Sequence, residues 1–249
     1  MSRVAIITGS SSGIGAATAL ELSRRGWSVL INYSKSEAQA KKVAAQCKDA
    51  IAVQADVAED AECRKLAQAA LDKWGRIDAL VNNAGTTKYV KHADLEGLSA
   101  DDFLRIYRLN VVGPFQMVRA CAAALKANRG AVVNVSSVAS QLGTVSSLAY
   151  AASKSALNAM TYSLARSLGP EVRVNAVCPG YVDTPWHAGA LGKEKAEQAA
   201  ARYSAMVPLK DYARPEDVAE VIAWLIEGAR QVTGDVVFVD GGLHIQPPR

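Results

Sequence analysis

Short apolar runs recur along the chain, and between them the apolar positions change to a spacing of three and four. The runs are Val4–Ile7, Ser28–Tyr33, 51–54, 79–81, Ala131–Val135, 172–177 and Val236–Val239. Runs this short and rich in β-branched residues, closed by Gly, Asn, Asp or Pro, read as buried strands. The intervening segments 16–25, 37–47, Asp60–Trp74, 147–168 and 215–226 carry helical spacing, and Gly26, Gly75 and Gly169-Pro170 stop three of them. A further helix opens at Ser99, with Asp102 in the capping-box position, and runs on through Asn110. Segment 88–98 reads as a loop, and 185–207 as a polar, Ala-rich helical insertion. Strands and helices alternate from end to end. That order predicts a parallel sheet covered on both faces: α/β, one doubly wound Rossmann-type domain of about seven strands over residues 1–249, with a lid insertion at about 181–212.

Composition narrows the function. Half of the 249 residues are hydrophobic and the net charge is +4, which allows a large core. Lys and Arg are not interleaved with aromatics anywhere, so nucleic acid is not an expected partner. No apolar run approaches the roughly 20 residues of a membrane helix, and the first residues lead straight into a strand, so a cytoplasmic protein is expected. Cys47, Cys63, Cys121 and Cys178 are scattered without a C-x-x-C pair and read as reduced thiols. His92, His187 and His244 have no ligand spacing, and no metal is expected.

Three stretches carry chemistry. Thr8-Gly-Ser-Ser-Ser-Gly-Ile-Gly15 lies between a strand and a helix. Gly9 allows a tight turn, Gly13 a close approach of backbone to a pyrophosphate, and Gly15 close packing of helix on strand, with the helix N-terminus facing the anion. The second strand ends in Asn32-Tyr-Ser-Lys-Ser36, without the acidic residue that holds the ribose hydroxyl of NAD; Ser34 and Lys35 suit a 2′-phosphate, which favours NADP(H) over NAD(H). Asn82-Asn-Ala-Gly85 ends the fourth strand and is either a plain turn or a surface for a flat ring. Tyr150 and Lys154 are four apart on one helix and share a face. The ammonium is expected to pull the phenol below its usual value of about 10, so that it can exchange a proton with a carbonyl or alcohol. Ser137, just after a strand, is placed to hold the same oxygen. Asn110, a polar amide inside a helix, is either exposed or functional.

Thr8 to Gly15, Asp56, Asn82 to Gly85, Asn110, Ser137, Tyr150, Lys154 and Pro179-Gly180, in this order and over nearly the whole chain, resemble the classical short-chain dehydrogenase/reductase family, and within it the 3-oxoacyl-(acyl-carrier-protein) reductases. The resemblance implies a catalytic set of Ser137, Tyr150, Lys154 and Asn110: Tyr150 as acid or base, Lys154 as its tuner and ribose contact, Ser137 as carbonyl orienter, and Asn110 as holder of a water linking Lys154 to solvent. It implies a cofactor site of Gly9, Ser11, Ser12, Gly13, Ile14, Gly15, Tyr33, Ser34, Lys35, Asp56, Val57, Asn83, Ala84, Gly85, Pro179, Gly180, Val182 and Thr184, together with Tyr150 and Lys154. NADP users of the family often carry a basic residue where this chain has Ser12. The substrate pocket would be built from 86–98, 138–148 and 181–212, with Leu142, Tyr181, Trp186 and Met206 as apolar lining beside Ser137 and Tyr150. Thr86-Thr-Lys-Tyr89 departs from the Ile-Thr-Arg-Asp usual after this motif in the 3-oxoacyl branch. The implied activity is hydride transfer between nicotinamide and a ketone or secondary alcohol, with a 3-oxoacyl thioester as the alternative substrate and a non-catalytic NADP-binding sensor as a remote one. The implied assembly is a homotetramer, with a dimer next.

Overall fold

The computed structural model describes residues 2–143, 145–186, 189 and 192–245. Its centre is a parallel sheet of seven strands, β1 (Val4–Ile7), β2 (Ser28–Tyr33), β3 (Ala50–Gln54), β4 (Ala79–Asn82), β5 (Ala131–Val135), β6 (Arg173–Pro179) and β7 (Val236–Val239), in the order β3-β2-β1-β4-β5-β6-β7. The chain reverses its winding direction between β1 and β4. In such sheets a crevice opens there, at the carboxyl ends of the strands.

Successive side chains on a strand point to opposite faces, and β1 shows it. Ala5 and Ile7 join Leu22, Ile31, Val81 and Ile222 under α1 (Gly13–Arg24) and a late helix, Pro215–Glu227. Val4 and Ile6 join Leu66, Leu80, Met117 and Val132 under α3 (Asp60–Trp74) and a helix at Gly113–Ala127. Full burial of such a side chain contributes about 1.5–3 kcal/mol. Strands packed on both faces explain why the sequence shows unbroken apolar runs rather than alternation.

The remaining helices are α2 (Glu37–Ala44), α4 (Ala100–Tyr107), α5 (Gly113–Ala127), α6 (Ala139–Leu142), α7 (Leu148–Leu168), α8 (Lys193–Met206) and α9 (Pro215–Glu227). Ser99 caps α4 in the expected reciprocal box with Asp102. The helix expected to run unbroken through Asn110 does not do so. Residues Arg108–Val112 form a π-turn between α4 and α5, in which Gly113 N–H bonds the Arg108 carbonyl. The physical cause is Pro114, which has no N–H to give the Asn110 carbonyl four residues back.

His187 and part of the helix expected over 185–207 lie outside the described residues; α8 supplies the rest. His244 stacks on Phe238 at 4.3 Å and bonds the Asp240 carboxylate at 2.9 Å, while His92 bonds the Val145 carbonyl. Among the described residues no His, Cys, Asp and Glu cluster could hold a metal ion, and no helix is long and apolar enough to cross a membrane.

Candidate active site

A cleft of about 1030 Å³ crosses the carboxyl ends of the strands. Its floor begins at the glycine loop. Gly9 has φ +61 and its N–H donates to Asn32 Oδ1 at 3.0 Å. Gly15 is buried beneath the loop: a Cβ there would stand 2.5 Å from Asn83 Nδ2 and 2.7 Å from the Gly9 carbonyl oxygen. The Asn82 to Gly85 stretch is more than a turn. Thr8 Oγ1 accepts from the N–H groups of Asn83 and Ala84, both at 3.0 Å, and Asn83 Nδ2 donates to the Thr8 and Gly9 carbonyls at 2.9 and 3.0 Å. The loops after β1 and β4 are therefore locked together, and they leave the start of α1 facing the cleft.

Gly9, Ser12, Gly13, Ile14, Ser34, Lys35, Asp56, Val57, Asn83, Ala84, Gly85, Pro179, Gly180, Val182 and Thr184 line the cleft, as do Ser137, Tyr150, Lys154 and Trp186. The expected residues that do not line it are Ser11, Gly15, Tyr33, Asn110, Leu142, Tyr181 and Met206. Gly15 acts from below, by allowing the packing just described. Tyr33 sits at an inward position of β2 and is buried in the core. Tyr181 is held away by its own contacts: its ring packs against Tyr203 and Tyr212, and its hydroxyl donates to the Ala196 carbonyl at 3.0 Å, so it fastens α8 rather than lining a pocket. Leu142 ends the short helix α6 and Met206 ends α8, both at partly buried positions outside the cleft.

At the inner end, Tyr150 and Lys154 share a face of α7, with Lys154 Nζ 5.7 Å from the Tyr150 ring centroid. Ser137 and Tyr150 both line this end of the cleft, and Ser137 Oγ accepts the Ala139 N–H at 3.2 Å. The expected lowering of the phenol is not found. Burial pushes Tyr150 up to about 12, the nearby Ser137 hydroxyl opposing it, with Tyr89 and Cys178 adding to the rise. Burial also pulls Lys154 down to about 8. The ammonium donates to the Val135 carbonyl at 2.8 Å and lies beside the ring rather than on the hydroxyl, so desolvation wins over its attraction. The phenol is thus held in its protonated form at neutral pH, the form that can give a proton to a carbonyl oxygen.

Asn110 is fully buried, which removes the reading as a surface residue. Its Oδ1 accepts the Thr86 N–H at 2.8 Å, and its Nδ2 donates to the Thr86 carbonyl and to Ser153 Oγ, both at 3.0 Å. Both amide hydrogens of the side chain are thus taken up by protein.

Thr86, Tyr89 and Ser146, from two of the segments expected to build the substrate pocket, line the cleft, and Asn32, Glu59, Arg105 and Arg108 line it without having been anticipated. Thr87 Oγ1 bonds Ser146 Oγ at 2.8 Å and Val90 N–H bonds the Ser146 carbonyl at 2.8 Å, which pins this loop beside the start of α7. A loop has no periodicity to expose such residues. Arg105 and Arg108 lie on a helix face whose exposure only the packing reveals.

The comparisons with known proteins agree with this geometry. The profile of a family described as Enoyl-(Acyl carrier protein) reductase matches residues 9–244. A protein of Streptomyces violaceoruber, assigned as ketoacyl reductase 2 of the granaticin polyketide synthase, is 42% identical over 243 residues, 97% of this chain and 96% of that one. A 3-oxoacyl-[acyl-carrier-protein] reductase of Synechocystis is 37% identical over 249 residues, 97% of this chain and 96% of that one. A crystal structure from Burkholderia xenovorans, assigned to the short-chain dehydrogenase/reductases, superposes with a TM-score of 0.92 at 40% identity, covering 98% of this chain and 99% of that one. The glycine loop locked to the turn after β4, the seven-stranded sheet and these relatives together place the chain in the short-chain dehydrogenase/reductase family, as an NAD(P)-dependent oxidoreductase.

Proposed function

We propose that the protein transfers hydride between NADP(H) and a ketone or secondary alcohol, with Ser137, Tyr150, Lys154 and Asn110 as its catalytic set. The observation that carries this reading is the convergence of Ser137, Tyr150 and Lys154 in the same cleft that the glycine loop lines. The loop suits a dinucleotide: Gly13 has φ +54, which favours glycine, a Cβ there would press on Thr184 Cγ2 at 3.2 Å, and the α1 N-terminus supplies N–H donors for a pyrophosphate. When bound, the nicotinamide supplies the hydride. The chain does the rest. Ser137 holds the substrate oxygen, Tyr150 gives it a proton, and Lys154 stabilises the phenolate that remains. Asn110 fixes the Thr86 backbone and, through Ser153, the turn that carries Tyr150.

Support for NADP(H) comes from the outer end. The end of β2 carries no carboxylate: Asn32 has its amide tied to Gly9 N–H and the Ala55 carbonyl, while Ser34 and Lys35 stand exposed at the cleft wall. Lys35→Ala is expected to weaken NADPH about ten-fold or more, as loss of a hydrogen bond to a charged group does, and to leave NADH within about two-fold. Fluorescence titration of both cofactors checks this, and equal weakening of both would reject the phosphate contact.

The named relatives favour a second reading, that the ketone is a 3-oxoacyl thioester. A panel of simple ketones, 3-oxoacyl thioesters and secondary alcohols, followed at the reduced-cofactor absorbance with both cofactors, decides between them. Thioester rates well above those of simple ketones support the second reading, and the reverse order rejects it. Phe103, Phe115 and Tyr162, exposed on α4, α5 and α7, support self-association as a homotetramer or, next, a dimer.

A further inference from the structure

We infer that Ser153 is a positioning residue for the reaction, coupling Asn110 to the Tyr150–Lys154 turn. It rests on the reading of Tyr150 as the proton carrier. Ser153 and Asn110 are both fully buried. Ser153 Oγ donates to the Tyr150 carbonyl at 2.7 Å and accepts from Asn110 Nδ2 at 3.0 Å. The same amide group of Asn110 holds Thr86 by its N–H and its carbonyl. One serine hydroxyl thus closes a path from the segment after Gly85, through the π-turn, to the backbone of the proton carrier.

Other serines on α7 mark the contrast. Ser163 and Ser167 donate to the carbonyl four residues back, of Ala159 and Ser163, and both are exposed. That is ordinary back-bonding along a helix. Ser153 instead reaches the carbonyl three residues back, which in the helical register is also the acceptor for the Lys154 N–H. Its hydroxyl therefore bears on the carbonyl that joins the two functional residues of the turn. It also faces the π-turn rather than solvent. The π-turn matters here because it turns Asn110 inward onto Ser153.

Removing the hydroxyl unties Asn110 from α7 and lets the phenol and ammonium shift relative to Ser137. A displacement of an ångström in such a set costs up to about 10²-fold in rate. Ser153→Ala is expected to lower kcat by about 10- to 100-fold, to leave NADPH affinity within about two-fold by fluorescence titration, and to shift the apparent pKa of the kcat profile with acetoacetyl-coenzyme A as the test ketone. Ser153→Cys keeps the volume and replaces a strong donor by a weak one, so it is expected to fold like the parent and to show the same pH shift. Ser163→Ala is the control on the same helix. In the Asn110→Ala background, Ser153→Ala is expected to add little, because the coupling is already cut. An unshifted pH profile in folded Ser153→Cys, or full additivity with Asn110→Ala, overturns the inference. Tyr150→Phe run alongside separates the two levels. Retained turnover there would sink the reading of Tyr150 as proton carrier, whereas a dead Tyr150→Phe with a parental pH profile in Ser153→Cys sinks only the role of Ser153.

Discussion

Tyr150→Phe is expected to lower turnover by about 10²- to 10⁴-fold, the span that a positioned proton donor contributes, with NADPH affinity almost unchanged. Phe keeps the ring and its packing but has no proton to give to the substrate oxygen. The glycine loop and the Lys35 region lie elsewhere in the cleft and do not depend on the hydroxyl. The pH dependence of the parent enzyme follows from the same site. Burial raises Tyr150 to about 12, so the acid form persists across neutral pH, and reduction has its donor there. Lys154, depressed to about 8, is charged below that value and loses its charge as pH rises through it. Reduction is therefore expected to be level near pH 7 and to fall as pH climbs past about 8, where the phenolate left behind loses its stabilising ammonium. Oxidation needs the phenolate first and is expected to rise from neutral pH upward. Initial rates in both directions against pH, with parent and Tyr150→Phe, test both statements. A variant that keeps more than a tenth of parental turnover would remove Tyr150 from the mechanism.

Gly180→Ala carries the second large expectation, and it acts through packing. Gly180 follows β6 at the cleft and its N–H bonds the Val239 carbonyl at 3.0 Å. A Cβ there would fall inside the Tyr203 hydroxyl, and lie 2.8 Å from Tyr203 Cζ and 3.1 Å from Asp240 Cα. Tyr203 comes from α8 and donates to the Asp240 carbonyl at 2.6 Å. It must move if a methyl is added, and the hydrogen bond goes with it. Overpacking costs about 1–3 kcal/mol, and loss of the Tyr203 hydrogen bond about 0.5–1.5 kcal/mol more, the Asp240 carbonyl keeping the Leu243 N–H. Together these correspond to a fall in Tm of roughly 5–15 °C for a chain of this size. Because α8 is fastened to the sheet through this tyrosine, KM for the ketone is expected to rise as well. Tyr203→Phe in the Gly180→Ala background removes the worst clash and should recover part of the Tm, though the ring contact remains. Parental melting of Gly180→Ala would show that the close approach is not a constraint.

Much of this was legible along the chain for stated physical reasons. A parallel sheet covered on both faces leaves unbroken apolar runs, and the seven runs foretold the seven strands to within one or two residues at either end. Glycine carries part of its meaning locally, since a positive φ at Gly9 and Gly13 is a property of the turn itself, whereas the crowding at Gly15 also comes from Asn83 after β4. Tyr150 and Lys154 were readable as a pair because helical spacing alone puts them on one face.

What lay beyond the sequence depends on distant parts meeting. The direction of the Tyr150 shift is one case: spacing shows the ammonium nearby, but only the fold shows the burial that outweighs it and the Val135 carbonyl that takes its hydrogen bond. The π-turn is a mixed case, since Pro114 announces a missing donor but not where Asn110 will then point. Tyr181 is another, an apolar-looking pocket residue that tertiary contacts turn into a fastening for α8. Periodicity and glycine placement are local, so the sequence alone determined the sheet, the glycine turn after β1 and the shared helix face of Tyr150 and Lys154. Desolvation, burial and hydrogen bonds across loops are sums over the whole molecule, so tertiary structure alone decided which groups stay protonated, which side chains reach the cleft, and that Ser153 joins Asn110 to the turn carrying Tyr150.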